Sequence, residues 1–415
     1  MRDNKRGLLL LLSSVILSGC GGGSSPPPAA VAPPPPPPPP PAAETVGPVD
    51  CVNGMAGNFP CNGINLAKRI PLDDMGAASG NDIWGWTDPS DGTEYALMGL
   101  DNGVAFVRIS DPENPVIAGT LPTQTLASAW RDMKVHDNHV FVVADNAGDH
   151  GMQVFDLTRL RGNNANTAFT PDAVYSQVGH AHNIAINEDS GFAYIVGTDS
   201  CNGGLHMVDI SSPKSPVFAG CFGADGDTHD AQCVNYNGPD PDHAGAEICF
   251  GSNEDKVSIA DVTDKSAAVS LATLTYPNLG FVHQNWVDDS HQFLIVGDET
   301  DETTFRVRTS SIVIDVRDLD NPVYLYTHQL NNNAIDHNLY VKGSMIYQAN
   351  YHSGLQILEF TDLSTDTITE NRFFDSYPID NETGFDGAWS VYPFFASGIL
   401  IVSDTDRGLF ILEPQ

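Results

Sequence analysis

The sequence predicts an all-β fold, a seven-bladed β-propeller with four-stranded blades. Three observations carry that prediction. A similar strand recurs seven times between residue 103 and the end of the chain, led by glycine in five copies and by Lys256 and Ser311 in the other two. Two further strands precede each copy, and a proline-started segment follows most of them. The unit repeats roughly every 50 residues with no helical periodicity, which suits four short strands per blade rather than a sandwich or a β-helix.

The chain opens with a segment that is not part of the fold. Arg2, Lys5 and Arg6 precede the apolar run Leu8 to Leu17, which is too short to span a bilayer. The run ends in Leu17-Ser18-Gly19-Cys20, which resembles a bacterial lipobox. That resemblance implies a signal peptide over 1–19 and lipidation of Cys20. Gly21 rather than Asp follows the cysteine, so an outer-membrane lipoprotein is expected, facing the periplasm or the cell surface. Residues 20–48 form a Gly/Ser/Pro-rich linker with an unbroken proline tract from Pro33 to Pro41. Such a tract favours extended polyproline II and acts as a semi-rigid spacer.

A short cysteine-containing segment, 49–64, leads into the propeller, 65–415. The repeating strand reads Gly103-Val104-Ala105-Phe106-Val107 in the first copy and Gly204-Leu205-His206-Met207-Val208-Asp209 in the third. Gly354-Leu355-Gln356-Ile357-Leu358 and Gly408-Leu409-Phe410-Ile411-Leu412 are the sixth and seventh. Asp111-Pro112-Glu113-Asn114-Pro115-Val116 and Asp320-Asn321-Pro322-Val323 show the proline that starts the outer strand, an edge position where a missing N–H is tolerated. The last copy stops after its third strand. Asn65 to Leu72 resembles the outer strands and is expected to close blade seven, leaving no open edge.

Six cysteines remain after Cys20. An even number in an exported chain suggests disulfides, and neighbours are expected to pair as Cys51–Cys61, Cys201–Cys221 and Cys233–Cys249. Asp and Glu outnumber Lys and Arg 53 to 19, giving a net charge of −34. Such a surface repels phosphates, so nucleic acid is not an expected partner. The membrane is reached through the lipid, and a protein or glycan ligand fits a monomeric display domain.

The repeats look like LVIVD-type propeller repeats, and the chain is similar to the choice-of-anchor B family. The residues that carry the resemblance are Gly179-His180-Ala181-His182-Asn183, Cys201 to Ile210, Thr228-His229-Asp230-Ala231-Gln232-Cys233, Asp336-His337-Asn338-Leu339-Tyr340 and Gly387-Ala388-Trp389-Ser390-Val391. It implies one propeller on a variable anchor and brings no reaction with it.

Candidate chemistry gathers on one face, where the inner strands begin and the loops between second and third strands open. His182, His229, His283 and His337 begin four successive inner strands, with Arg131 and Asp386 in others. The loops add Asp101, Asp145, Asp149, His150, Asp199, His352, Asp404 and Asp406, making the face acidic. The four histidines could hold a transition metal at the channel, with His180 as a substitute for one of them. Alternatively each caps its strand by hydrogen-bonding the next blade's backbone. Asp298, Glu299, Asp301 and Glu302 are a second candidate set, for calcium, although they lack the spacing of an EF-hand loop. No nucleophile elbow and no phosphate loop are present. The expectation is a non-enzymatic binding propeller recognising a protein, glycan or cation through its acidic face. A metal-dependent oxidoreductase or hydrolase using the channel histidines is the alternative.

Overall fold

The computed structural model describes residues 44–415. Cys20, the lipobox-like residues before it and the linker as far as residue 43 lie outside the described residues. The remainder forms seven sheets, one per predicted blade, antiparallel apart from Thr167–Ala168, which pairs parallel to the outer strand of blade 1. Blade 3 is representative. Its strands, from the axis outward, are Asn183–Asn187, Phe192–Val196, Leu205–Asp209 and Val217–Phe222.

The lead glycine of the third strand has a packing reason. Gly354 (φ 67°) and Gly408 (φ 95°) adopt left-handed backbone, and a Cβ on either would run into the outer strand's carbonyl, of Phe374 and Ile70 respectively. A register shift between third and outer strands recurs in six blades, for example between Met207 and Val208, Ile259 and Ala260, and Val313 and Ile314. An extra residue there increases the local twist that each blade needs.

Blade 7 closes as expected. Its inner three strands are Ala388–Tyr392, Leu400–Asp404 and Gly408–Pro414, and its outer strand is Ile64–Ile70. Leu66 pairs with Leu412 and Ile70 with Leu409, and the shift between Leu66 and Lys68 repeats the irregularity of the other blades. The strand from the front of the chain is therefore shaped like any other outer strand.

The sequence did not foresee where the 49–64 segment goes. Phe59–Asn62 adds a strand to the outside of blade 6, pairing Cys61 with Phe374, and Met55–Ala56 folds back on it. Phe59 is fully buried, 5.5 Å from Phe374 and 5.2 Å from Phe410, so it bridges blades 6 and 7. All three disulfides join the expected partners. Cys233 and Cys249 lie directly opposite on the inner and second strands of blade 4.

Apolar faces of adjacent blades make the core, as where Phe106 of blade 1 stacks on Phe155 of blade 2 at 5.0 Å. Polar side chains tie the inner strands together. Asp132, Gln232 and Gln284 accept the backbone N–H of Ile184, Val287 and Leu339 in the following blade, at 2.9, 2.7 and 2.9 Å. These bonds satisfy N–H groups that no strand reaches.

Candidate metal centre at the channel mouth

The four histidines do converge. Their ring centroids follow one another at 4.2 Å (His182–His229), 4.3 Å (His229–His283) and 4.2 Å (His283–His337), forming an arc through blades 3 to 6. They sit at the base of a cavity of about 470 Å³, with Trp130, Tyr351, Phe385, Asp386 and Trp389 on its wall.

Their hydrogen bonds follow a pattern that the chain dictates. His229 Nδ1 lies 3.0 Å from the carbonyl oxygen of His283, and His337 Nδ1 lies 2.6 Å from that of Trp389, in each case in the next blade. A carbonyl can only accept, so each Nδ1 carries the proton and each Nε2 keeps its lone pair. His283 Nδ1 faces the His337 carbonyl in the same sense but without a completed bond. His182 differs, because its Nδ1 faces Asp145 at 3.2 Å, a carboxylate it shares with His180. Burial, with neighbouring imidazoles adding to it, pushes His283 and His337 down to about 3 and His229 well below its usual value. These rings are neutral at physiological pH, the form a metal requires.

Only part of the arc shares a point. His283, His337 and Glu299 each offer an atom within 4.8 Å of the others. Glu299 lies 3.9 Å from His283 Nε2 and 3.8 Å from His337 Nε2, too far to hydrogen-bond either. It is oriented by the Tyr351 hydroxyl, which donates to it at 2.7 Å. His182, His229 and His180 remain outside this reach. The capping role and the ligand role thus coexist on one ring: Nδ1 engages backbone while Nε2 faces the channel, as outer-sphere bonds do for metal-bound histidine.

The acidic loop divides. Glu299 enters the channel, whereas Asp298, Asp301 and Glu302 are buried in the body of the ring. Asp298 is consumed as an acceptor for the N–H groups of Gly280 and Phe281 and the hydroxyl of Tyr276. Asp301 and Glu302, on the short helix Asp301–Phe305, meet Asp336 of the next blade. Burial, with neighbouring carboxylates, raises Asp301 to about 7, Glu302 to about 12 and Asp336 well above its usual value.

The acidic face contains fewer free carboxylates than its sequence suggests. Asp404 is fully buried and accepts from Ser376 and from the N–H groups of Asp406 and Arg407. His352 pairs with Asp380 at 2.8 Å. Arg131 does not reach the axis. It turns between blades 1 and 2, donating to the Leu100 carbonyl at 3.0 Å and the Thr123 hydroxyl at 2.9 Å, and Trp130 takes its place at the channel.

Sequence reasoning missed two features. Lys134 is buried in the channel between Asp132 at 2.6 Å and Asp82 at 3.5 Å. A lysine within an inner strand was the available signal. The opposite mouth is a second cavity, of about 480 Å³, lined by Trp84, Trp286, Tyr392 and Phe394. Those rings come from distant blades, and no local pattern marks them.

Comparison with known proteins agrees with this architecture. Residues 178–223, which comprise blade 3, match the LVIVD repeat family. No curated protein matches the chain. Among solved structures, it is similar to the β-propeller domain of Myceliophteria thermophila Cps50 (Swd1), at 11% identity and a TM-score of 0.55, covering 85% of this chain and 99% of that one. It is also similar to a Bacteroides fragilis protein described as a candidate 6-phosphogluconolactonase, at 14% identity and a TM-score of 0.50, covering 69% and 82%. At such identities these likenesses concern the fold alone. The chain is a seven-bladed repeat propeller that carries an LVIVD repeat.

Proposed function

We propose that the chain is a non-enzymatic binding propeller of the choice-of-anchor B type, and that it binds a divalent transition-metal ion at the mouth of its channel. The observation that carries this reading is the convergence of His283, Glu299 and His337, with two neutral imidazoles beside a carboxylate. Mixed nitrogen and oxygen donors of this kind suit Zn²⁺ or Fe²⁺. Three protein ligands leave positions open toward the cavity, where a further ligand group can bind. Elemental analysis of protein purified without added metal, followed by calorimetry with Zn²⁺, is the test. One ion per chain is expected, with at least a tenfold loss of affinity in both His283→Ala and Glu299→Gln. Undiminished binding in both variants rejects the site.

The open positions also suit catalysis, and a metal-dependent hydrolase or oxidoreductase is the second reading. A phosphorylated lactone is disfavoured as substrate, because Glu299, Asp386 and Asp406 line the mouth and would repel phosphate.

The proposal places the domain at the outer membrane as a monomer, tethered by lipid on Cys20. Cys20→Ser should move the protein from the membrane to the soluble fraction. Membrane fractionation unaltered by the substitution rejects the tether.

A further inference from the structure

Behind the channel centre, between blades 5 and 6, lies a second group of ligand-type atoms. Asp301, Glu302 and Asp336 are 3%, 3% and 1% exposed, and each presents an oxygen within 4.8 Å of the others. Asp301 Oδ1, both oxygens of Glu302 and Asp336 Oδ1 have no hydrogen-bond partner. The remaining oxygens are committed, Asp301 Oδ2 to the Ser310 hydroxyl at 3.0 Å and Asp336 Oδ2 to the N–H of Asp298 at 3.0 Å. Those bonds orient the two aspartates so that their free oxygens face Glu302.

A buried carboxylate without a partner is costly, and three together cost more through mutual repulsion. Among the described residues no lysine or arginine forms an ion pair with any of them. Asp298, their neighbour, shows the usual solution, with both oxygens engaged by N–H and O–H donors. The third acidic grouping, Asp240, His243 and Asp320, is likewise explained by its own bonds, since Asp240 accepts from Asp242 and Leu319 and His243 faces Asp320 at 3.0 Å.

We propose that Asp301, Glu302 and Asp336 bind one Ca²⁺ ion between blades 5 and 6, separate from the channel centre. The donor set is all oxygen and all carboxylate, which selects a hard cation over Zn²⁺ or Cu²⁺. Four free oxygens leave room for water in the coordination shell. The ion would link the helix of blade 5 to the start of the inner strand of blade 6. Because Asp336 immediately precedes His337, it would also fix one histidine of the channel mouth.

The test uses the full chain with Ca²⁺ alone as probe. Calcium content after gel filtration and melting temperature with Ca²⁺ or EGTA are measured for wild type, Glu302→Gln, Asp336→Asn and His283→Ala. One Ca²⁺ per wild-type chain is expected, with a melting temperature several degrees higher in Ca²⁺ than in EGTA. That response should vanish in Glu302→Gln and Asp336→Asn and persist in His283→Ala, which affects only the channel. The wild-type comparison needs no variant to fold. A wild type without calcium, whose melting temperature ignores both additives, overturns the proposal and means that the cluster holds protons. Full calcium content in Glu302→Gln overturns the assignment of the ligands. Loss of the response in His283→Ala together with the other two overturns the separation of the two sites.

Discussion

Two groups of buried carboxylates flank the same ring of inner strands, and they are treated differently. Asp82 and Asp132 have Lys134 between them. Burial pushes Asp132 up, but Lys134 at 2.6 Å and its hydrogen bonds outweigh that, so its carboxyl stays below the usual range, whereas Asp82, farther from the lysine at 3.5 Å, is raised well above it by burial and by Asp132. Asp301, Glu302 and Asp336 have no such cation, and all three are raised. Both groups are buried, so the difference lies in who supplies the positive charge. In the first the chain encodes one charge, which holds Asp132 ionised while Asp82 favours its proton. In the second it has to come from outside, as a metal ion or as protons.

The largest effect is expected from removing the encoded charge. Lys134→Met strands the buried Asp132 carboxylate beside Asp82 and should cost about 3–5 kcal/mol, read as a lower urea midpoint. Adding Asp132→Asn should recover part of the loss, since the amide oxygen can still accept from Ile184. A neutral result for Lys134→Met would mean that the aspartates are already protonated, and the contrast would collapse.

An intermediate case sharpens the comparison. Asp404 has partners, but only uncharged ones, and burial raises it to about 6. Its folded value lies above the unfolded one of about 3.9, so its contribution to stability is fully present below that pH and is lost as pH rises through 6. Asp404→Asn should therefore gain on wild type between pH 4 and pH 6, by on the order of 2 kcal/mol. A pH-independent difference in chemical denaturation would remove Asp404 from the series.

The smallest effect serves as the control. Lys256 and Asp255 are 3.0 Å apart at the surface, with side chains 27% and 77% exposed. Lys256→Ala should change stability by less than about 0.5 kcal/mol, because water already solvates both ends. A loss matching that of Lys134→Met would show that burial is not what separates the pairs.

The parity of a strand explains what the sequence could and could not reveal. Repeats, closure and disulfides were legible because they depend on spacing along the chain, as with Gly354, Gly408 and the opposed Cys233 and Cys249. The histidines were legible for the same reason, since each starts an inner strand. Grouping Asp298 with Glu299 was less successful. Successive side chains at a strand end point to opposite sides, so Asp298 enters the interior while Glu299 enters the channel. Asp336 and His337 divide in the same way. Each dipeptide thus serves two different environments, and a reading that groups neighbours in sequence merges them. Trp130 and Arg131 exchanged roles through the same one-residue ambiguity.

The closing strand also determines how the domain bears tension. Any pull arriving from residues ahead of Glu44 first meets the Glu44 contacts with Arg69 and Arg407, at 3.0 and 3.1 Å. Next come the bonds from Arg69 N–H to Val46 and between Val49 and Leu66, which lie along the outside of the closing strand and peel one at a time. The load then reaches the Cys51–Cys61 loop, which is covalently closed and packed on blade 6. Arg69 and Leu66 belong to the Ile64–Ile70 strand that keeps the ring shut, so the same bonds that take the load also brace that strand from outside. The seal of the propeller is thus double, held by blade 7 on one side and by the incoming segment and its disulfide-closed loop on the other.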